Sequence, residues 1–467
     1  MEINETKPIN KLSERNIAVI VFSLFFSWLL AFPFEGQVLY SLLEKYNIYS
    51  ANFIFKSIAS HLLGLLSCSF YIKSMKAAKI LIFTSIIVCI IGTSVFLFQP
   101  SFLWDFSLII SSFAAGASVA AWAYYFKELT RTEERLKMAA DGLIFSNVLM
   151  VVINIVSVNL TPYAGLIFSM ILLLLALVFS LKLPITAVSQ YGNEKVIDKI
   201  NIVKPLLLLC VFILIATINS GLMYQVINPY FAHLDVIVSW YWALPYIGAI
   251  FIMRNISASK RIYMLYVAIA MIGLGFISFL IMNSSIVSYI VIDTLILAAF
   301  GIYDLFWWSV IGEMLDYSSN PSRLLGMGLT FNVSGVLVGG MIGSAIFTLS
   351  NNKMNSSIIA LALAFIILII LPILHNKLSD LLKIKAYSVS VTTKEHKEPL
   401  NITQLTEREN EIVALLLKGR TYKMIADEMY LSENTIKTHI KNIYSKLNVN
   451  SKTELIKLIN GPLTRKR

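Results

Sequence analysis

The chain has 467 residues, of which 57% are hydrophobic and only 14% are charged, against about 25% charged in soluble proteins. With a mean hydropathy of +0.75, this composition excludes an ordinary soluble globular protein and indicates a membrane protein. The net charge of +11 is unevenly distributed. Residues 377–467 carry 17 Lys and Arg against 10 Asp and Glu, a balance of +7. A basic balance in so short a segment is typical of a small nucleic-acid-binding unit.

Apolar stretches of about 20 residues are long enough to span the hydrocarbon core of a bilayer. The sequence contains twelve, which predicts an all-α, polytopic membrane domain over residues 1–376. The longest polar break, 183–204, divides them into two groups of six. The predicted spans are residues 16–35, 52–72, 79–98, 103–125, 142–161, 163–182, 205–227, 236–253, 262–282, 286–311, 327–349 and 356–375.

Lysine and arginine in the short loops predict the orientation, because cytoplasmic loops carry an excess of these residues. The loops after even-numbered spans are basic, whereas the opposite loops hold only Lys45 and Lys353, with Lys56 near the start of span 2. This asymmetry predicts a multi-pass protein of the cytoplasmic membrane with both termini in the cytoplasm. The basic loops hold Lys73, Lys76 and Lys79; Lys127, Arg131, Arg135 and Lys137; Lys182, Lys195, Lys199 and Lys204; Arg254, Lys260 and Arg261; and Arg323.

The two groups of six spans share features at matching positions. Gly142-Leu-Ile-Phe145 opens span 5 and Gly328-Leu-Thr-Phe331 opens span 11, each a few residues after an Arg-Leu pair, 135–136 and 323–324. Two six-helix halves with cytoplasmic ends are the plan of the major facilitator superfamily. The segment 1–376 resembles that family in architecture.

Glycines in span 11 predict a close helix contact. Gly335, Gly339 and Gly343 are four residues apart, so they share one helix face. Small residues on one face let another helix approach closely within a membrane. We expect helix packing, rather than ligand binding, from this face.

Two aspartates in span 10 are notable because an ionisable group at membrane depth costs about 3 kcal/mol unless it faces a cavity or a partner. Asp293 and Asp304 are eleven residues apart, within about 20° of one helix face and roughly 16 Å along the axis. Trp307 and Trp308 follow Asp304 at helical spacing. In the family that this segment resembles, spans 1, 4, 7 and 10 line a central cavity.

We therefore expect a small, partly apolar ligand to bind among polar and aromatic side chains of these four spans. An alternative remains open, in which Asp304 caps or pairs near the cytoplasmic end of its span while Trp307 and Trp308 are interfacial anchors. No residue spacing indicates a metal site or a cofactor. The candidate ligand-binding residues are Glu35, Trp122, Asn219, Gln225, Asp293, Asp304 and Trp307.

The polar segment 377–404 is predicted to be a linker to a C-terminal domain of four short helices, 405–467. Thr406-Glu-Arg-Glu409 has the spacing of a capping box, in which the two side chains accept each other's backbone N–H groups. Residues with suitable side chains for the N-caps of the next three helices are Thr421, Ser432 and Ser451.

The second and third of these helices, joined by a turn of about three residues, form a helix-turn-helix whose second helix enters the major groove. Ile436, Ile440 and Ile443 recur at helical spacing and face the core. Lys437, Thr438 and Lys441 fall on the opposite face, where their donors meet base edges. The residues placed to reach phosphates are Thr421, Lys423, Asn434, Thr435, His439 and Lys446. A solvated Lys446 and a packed His439 are alternatives that remain open.

The motifs Leu405-Thr-Glu-Arg-Glu409, Leu431-Ser432 and Thr435-Ile-Lys-Thr-His439, followed by Lys446-Leu447, resemble the LuxR-type DNA-binding domain along its full length. The resemblance implies that Lys437, Thr438 and Lys441 occupy base-reading positions. It also implies that the fourth helix makes the contact of a homodimer on double-stranded DNA.

Three functions are compatible with these features. The first is a membrane-bound, one-component transcriptional regulator that senses a ligand in its membrane domain. The second is a secondary transporter with a regulatory DNA-binding tail, although the loop from Tyr71 to Lys79 lacks the Gly and Asp that facilitators carry there. The third is a docking scaffold without a ligand. No nucleotide-binding loop, zinc-ligand pattern or hydrolase triad is recognisable, so we expect no enzymatic activity.

Overall fold

The computed structural model describes residues 13–34, 36–186, 202–238, 240–347, 352–395, 405–417, 420–429, 431–452, 454–455 and 458, and every secondary-structure element within them is helical. The chain divides into two compact units, Met1–Leu378 and Ser379–Arg467. These features confirm the predicted all-α fold, with a polytopic helix bundle followed by a small helical domain.

Twelve helices follow the predicted spans in order, and all but the last end within the first unit. They are α1 (Glu14–Ala31), α2 (Ser50–Tyr71), α3 (Met75–Ser94), α4 (Phe102–Glu128), α5 (Arg135–Asn159), α6 (Pro162–Ser180), α7 (Val203–Leu222), α8 (Ala243–Met253), α9 (Ala258–Ile281), α10 (Ile286–Met314), α11 (Pro321–Phe347) and α12 (Asn352–Glu395). A short helix, Gln37–Lys45, lies between α1 and α2.

Polar N-caps begin several of these helices. The side-chain oxygens of Ser74, Thr161 and Ser285 accept the backbone N–H groups of the third residue beyond them, at the starts of α3, α6 and α10. These bonds satisfy N–H groups that have no partner within the helix. In α6 the residue after the cap is Pro162, which has no N–H to satisfy.

Eleven described helices are long and apolar enough to cross a membrane, and the exception is α8, with 11 residues. The sequence predicted one continuous span over 236–253. Instead, a turn at 240–242 separates the four-residue helix Asp235–Val238 from α8. Pro245 explains the break, because a proline in a continuous helix would clash with the carbonyl of Tyr241, four residues earlier. Hydropathy alone does not detect such a turn.

The last membrane helix is longer than predicted. The apolar span ends near residue 375, but α12 continues to Glu395 and includes much of the segment predicted to be a linker. Residues 376–395 contain neither Gly nor Pro, so no residue there breaks the helix where hydropathy falls.

Helices α7 and α11 pack with their backbones in close contact, as the glycine spacing predicted. Gly335 lies against Leu214 and Thr217, Gly339 against Ile218 and Gly221, and Gly343 against Gln225 and Val226. At the end of α7 the residues Met223–Ile227 form a π-helical turn. This wider turn changes the register of the side chains that follow.

The second unit contains α13 (Glu407–Leu417), α14 (Tyr422–Glu428) and α15 (Glu433–Leu447), and the described residues from 452 to 458 are also helical. Its core is apolar. The core comprises Leu405, Ile412, Val413, Leu415, Leu416, Ile425, Ala426, Ile436, Ile440, Ile443, Val449 and Leu455.

We predict that Gly339→Ala destabilises the membrane unit by about 1–3 kcal/mol, because the added methyl group would overlap the backbone oxygen of Ile218 and push α7 away from α11. The measurement is thermal unfolding of the full chain in detergent. The matched control is Gly248→Ala, whose new methyl group meets no atom within 4 Å. An equal loss of stability in both variants would contradict the packing assigned to Gly339.

Candidate functional site

The third helix of the C-terminal unit, α15, has one buried face and one exposed face. Ser432 caps its first turn by accepting the backbone N–H of Thr435 at 3.1 Å. Ile436, Ile440 and Ile443 are buried in the core, at 0–4% exposure. The isoleucines thus fix the rotation of α15 and determine which side chains face solvent.

The predicted base-reading residues all lie on the exposed face. Lys437, Thr438 and Lys441 are exposed at positions that repeat with the helical period, and so is Asn434, a predicted phosphate contact one turn earlier. Lys437 pairs with Glu433 one turn earlier, at 2.9 Å, and both side chains are about half exposed. The Thr438 hydroxyl donates to the Asn434 carbonyl at 3.0 Å. A surface pair of this kind is worth little, so Lys437 remains available to a nucleic-acid partner.

The remaining predicted DNA contacts differ in their surroundings. Thr435 and His439 are half-buried on the flanks of α15. The Thr435 hydroxyl is hydrogen-bonded to that of Ser432, at 2.7 Å. Thr421 is exposed and caps α14 by accepting the N–H of Met424 at 3.3 Å. The side chain of Lys423 lies outside the described residues.

Lys446, predicted to contact phosphate, has a partner within the domain. Its ammonium donates to both carboxylate oxygens of Glu409, at 2.9 and 2.7 Å. The Glu409 side chain is only 5% exposed, whereas that of Lys446 is 40% exposed. A lysine that neutralises a buried carboxylate is held in place by the fold, so its ammonium is less available to phosphate than that of Lys441.

Glu409 also forms the capping box predicted from the sequence. It accepts the backbone N–H of Thr406 at 2.8 Å, and the Thr406 hydroxyl accepts the N–H of Glu409 at 3.3 Å. The contacts with Lys446, followed by the N–H of Thr406, hold the pKa of Glu409 below its ordinary value. One carboxylate therefore joins the start of α13 to the last turn of α15.

The end of α15 is also well defined. Asn448 adopts a left-handed conformation, with φ 52°, and the N–H of Val449 bonds to the Tyr444 carbonyl at 3.0 Å. The Ser451 hydroxyl then accepts the backbone N–H of Glu454 at 3.2 Å, and the Glu454 carboxylate accepts the backbone N–H of Asn450 at 2.7 Å. This geometry confirms the start of the predicted fourth helix. Four of the eight residues of that predicted helix, 452–459, lie outside the described residues.

A cavity of about 140 Å³ lies between the two six-helix halves of the membrane unit. Residues from α1, α2, α4 and α5 line one side, and residues from α7, α8, α10 and α11 line the other. Nine of its 24 lining residues are aromatic. Spans 1, 4, 7 and 10 thus contribute, as expected, together with four further helices.

Asp304 and Trp307, both predicted ligand-binding residues, line this cavity together with Trp308. The Tyr246 hydroxyl donates to Asp304 Oδ2 at 2.7 Å, and Trp307 Nε1 donates to Oδ1 at 3.0 Å. The indoles of Trp307 and Trp308 are stacked and only 2% exposed, so they are not interfacial anchors.

The other predicted ligand-binding residues are not among those that line the cavity. Asp293 is buried, and neither carboxylate oxygen has a hydrogen-bond partner among the described residues. Trp122 donates to the Ala18 carbonyl at 3.0 Å and packs behind Trp308. Asn219 is fully buried, and Gln225 faces Gly343 on α11. Glu35 lies outside the described residues.

Several lining residues did not emerge from the sequence. Tyr246 contacts Asp304 from 58 positions away, and no local pattern indicates that pairing. Asn147 and Asn332 contribute amide groups from α5 and α11, and His61 contributes an imidazole from α2. A polar residue within an apolar span is the only signal that could have singled out these three.

A network of ion pairs joins the two halves at the end of the bundle where the basic loops lie. Asp141, at the start of α5, accepts from Arg254 beyond α8 at 2.7 and 3.3 Å and from Arg15 on α1 at 3.2 Å. Arg135 pairs with Asp316 at 2.6 Å and donates to the Gly312 carbonyl at 2.6 Å. The ion pairs of Asp141 and of Arg135 therefore each link the first six-helix half to the second.

Residues 403–459 match the family described as bacterial regulatory proteins, luxR family. They are 42% identical over 62 residues to the transcriptional regulatory protein DegU of Brevibacillus brevis, covering 13% of this chain and 25% of that protein. The transcriptional regulatory protein LiaR of Bacillus subtilis is 48% identical over 50 residues, covering 11% and 24%. The match thus spans about a quarter of these relatives and identifies a LuxR-type helix-turn-helix at the C-terminal end of the chain.

The membrane unit is similar in fold to solved transporters. The human organic anion transporter MFSD10 (TETRAN) superposes with a TM-score of 0.59 at 13% identity, covering 77% of this chain and 100% of that one. A bacterial homologue of the iron transporter ferroportin, in an outward-facing state, gives 0.60 at 14% identity, covering 78% and 100%. The architecture is therefore facilitator-like, and at these identities the likeness concerns the fold alone.

We predict that Glu409→Gln destabilises the C-terminal unit by about 1–3 kcal/mol, because it removes the charge that Lys446 neutralises at a buried position. For a domain of this size that loss lowers the melting temperature by roughly 5–20 °C. Circular dichroism of residues 379–467 measures it. Glu411→Gln, at an exposed pair with Arg408, is the matched control and should change little.

The same contact predicts a pH dependence. Because the folded-state pKa of Glu409 is lowered, its contribution to stability is complete above the ordinary value of 4.5 and is lost as the pH falls through the lowered value. Lys446→Ala should reduce this loss in acid. Identical pH profiles for the wild type and Lys446→Ala would contradict the role assigned to the pair.

Proposed function

We propose that this protein is a membrane-bound, one-component transcriptional regulator, in which a ligand in the membrane unit controls sequence-specific DNA binding by the C-terminal unit. The observation that carries the proposal is the exposed face of α15, with Lys437, Thr438 and Lys441, within a LuxR-type domain of the same chain. No catalytic step forms part of the proposal.

In the DNA-binding step, α15 enters the major groove with its isoleucine face against the domain core. Lys437, Thr438 and Lys441 read base edges, since lysine ammonium groups donate to guanine acceptors and threonine contacts several bases. Asn434, Thr435, His439, Thr421 and Lys423 position the domain on the phosphates. Dimerisation through the fourth helix matches two domains to two half-sites.

In the sensing step, a small molecule occupies the cavity between the two halves and favours one arrangement of the halves over another. The ion pairs of Asp141 and Arg135 are suited to this role because they join the halves at the end of the bundle where the basic loops lie. The lysine distribution supports a cytoplasmic location for that end and for both termini. We assign sensing to 1–376, tethering to 377–404 and DNA binding to 405–467.

Lys441→Ala should weaken DNA binding by about 1–3 kcal/mol, which is roughly 5- to 150-fold in the dissociation constant. The reason is the loss of a donor from the exposed face of α15. The measurement is fluorescence anisotropy with a selected duplex and the full chain in nanodiscs. Arg408→Ala, which removes an exposed base from α13, is the matched control. Equal affinities of both variants would argue against this face as the reading surface.

Asp141→Asn should alter DNA affinity by about fivefold or more, because it weakens the contact between the halves and so shifts their conformational equilibrium. The exposed pair of Lys56 and Asp105, at 2.5 Å, joins two helices of one half, so Lys56→Gln is the matched control. If Asp141→Asn binds DNA like wild type, the ion pairs do not couple the two units.

The second candidate function is secondary transport, favoured by a cavity that lies between two facilitator-like halves and contains a carboxylate. Uptake of a ligand into proteoliposomes that responds to an imposed proton gradient, and is lost in Asp304→Asn, would support it. Binding without translocation would exclude it.

A further inference from the structure

The carboxylate of Asp304 has no lysine or arginine partner in its cavity, and no hydrogen bond or ion pair joins it to His61, the one imidazole in the described lining. None of the described residues that line the cavity is Lys or Arg, and Asp304 is the one carboxylate among them. Among the described residues, its two hydrogen bonds come from neutral donors, the hydroxyl of Tyr246 and the indole N–H of Trp307. Neutral donors orient a carboxylate but leave its negative charge uncompensated.

The geometry leaves room for further donors on the same carboxylate. Its two oxygens offer about four acceptor positions, and one hydrogen bond to each oxygen is accounted for. Tyr246, on α8, and Trp307, one turn along α10, hold the group from two directions. The carboxylate is therefore fixed in orientation, and its oxygens can still accept further hydrogen bonds. A site that binds an ammonium group needs both properties.

The rest of the cavity wall is suited to the apolar part of such a ligand. Nine of the 24 lining residues are aromatic, and Trp307, Trp308 and Phe300 lie within a few residues of Asp304 on α10. Faces of aromatic rings attract cations, most strongly when water is excluded. A volume of about 140 Å³ is below the roughly 300 Å³ at which pockets for drug-sized molecules begin, so the ligand is small.

We propose that this cavity binds a small organic cation, a primary ammonium group on an aromatic or aliphatic body, with the ammonium on Asp304 and the body against the tryptophans. This deepens the proposed function, since the cation would be the ligand that the membrane unit senses. An anion would meet the Asp304 charge without a lysine or arginine among the described lining residues to compensate it. A neutral ligand would leave that charge unpaired.

The test uses the full chain in nanodiscs and three probes of nearly equal shape: 2-phenylethylammonium, 2-phenylethanol and phenylacetate. Binding is followed by tryptophan fluorescence, because Trp242, Trp307 and Trp308 line the cavity. We expect saturable binding of the ammonium at least about tenfold tighter than that of the alcohol, and none of the carboxylate. Failure of the ammonium to bind, or equal binding of the ammonium and the alcohol, would overturn the proposal.

Two variants on α10 locate the site. Asp304→Asn should abolish the preference for the ammonium over the alcohol. The matched control, Asp293→Asn, changes a buried aspartate on the same helix outside the cavity and should retain the preference. If Asp304→Asn fails to fold, Tyr246→Phe provides the second test, with an altered preference expected because one orienting hydroxyl is lost. An unchanged preference in a folded Asp304→Asn would overturn the assignment.

These assays contain no DNA, so their outcome is independent of the proposed function. Ammonium binding without any change in DNA affinity would retain the cavity assignment and remove the regulatory role. If the DNA affinity depends on Asp141 but the ammonium does not bind, the regulatory role would be retained and the cavity assignment would be removed.

Discussion

A charged side chain is costly in the hydrocarbon core of a bilayer unless it meets a partner or a polar cavity. Most features of the membrane unit follow from this constraint. The lysines and arginines are concentrated in loops after even-numbered spans. Arg135 and Asp141 lie in the first two turns of α5, and each forms an ion pair with a residue of the other half. Asp304 lies deeper in the bundle, where it faces a cavity and accepts two hydrogen bonds. Asp141, Arg135 and Asp304 thus mark places where the two halves meet, whereas Asp293 is buried outside the cavity.

In the C-terminal unit, the corresponding constraint is burial of the isoleucine face of α15, which sets the rotation of that helix about its axis. Three isoleucines bury one face of α15 and expose the opposite face, which carries Lys437 and Lys441. The Glu409 carboxylate anchors both the first turn of α13 and Lys446 near the end of α15. The exposed lysines are thus presented by a rigid support, which is the arrangement that base reading requires.

Local features were predictable from the sequence, whereas long-range pairings were not. The capping box at Thr406 and Glu409 involves residues three apart, and the glycine face of α11 has a helical period, so both are predictable from local spacing. The contacts of Lys446 with Glu409 and of Asp304 with Tyr246 join residues 37 and 58 positions apart. Such contacts depend on tertiary packing. Asp293 and Asp304 share a helix face by spacing, yet only Asp304 meets the cavity, because the neighbouring helices decide where space remains.

The most direct test of the proposed role is selection of binding sites from random duplex DNA by the full chain in nanodiscs, at about 150 mM salt, where weak electrostatic binding is reduced. We predict enrichment of one sequence family with two half-sites, and loss of that enrichment when Lys437 and Lys441 are both replaced by Ala. Binding that is uniform across sequences, or enrichment that survives the double replacement, would contradict a DNA-reading function for α15.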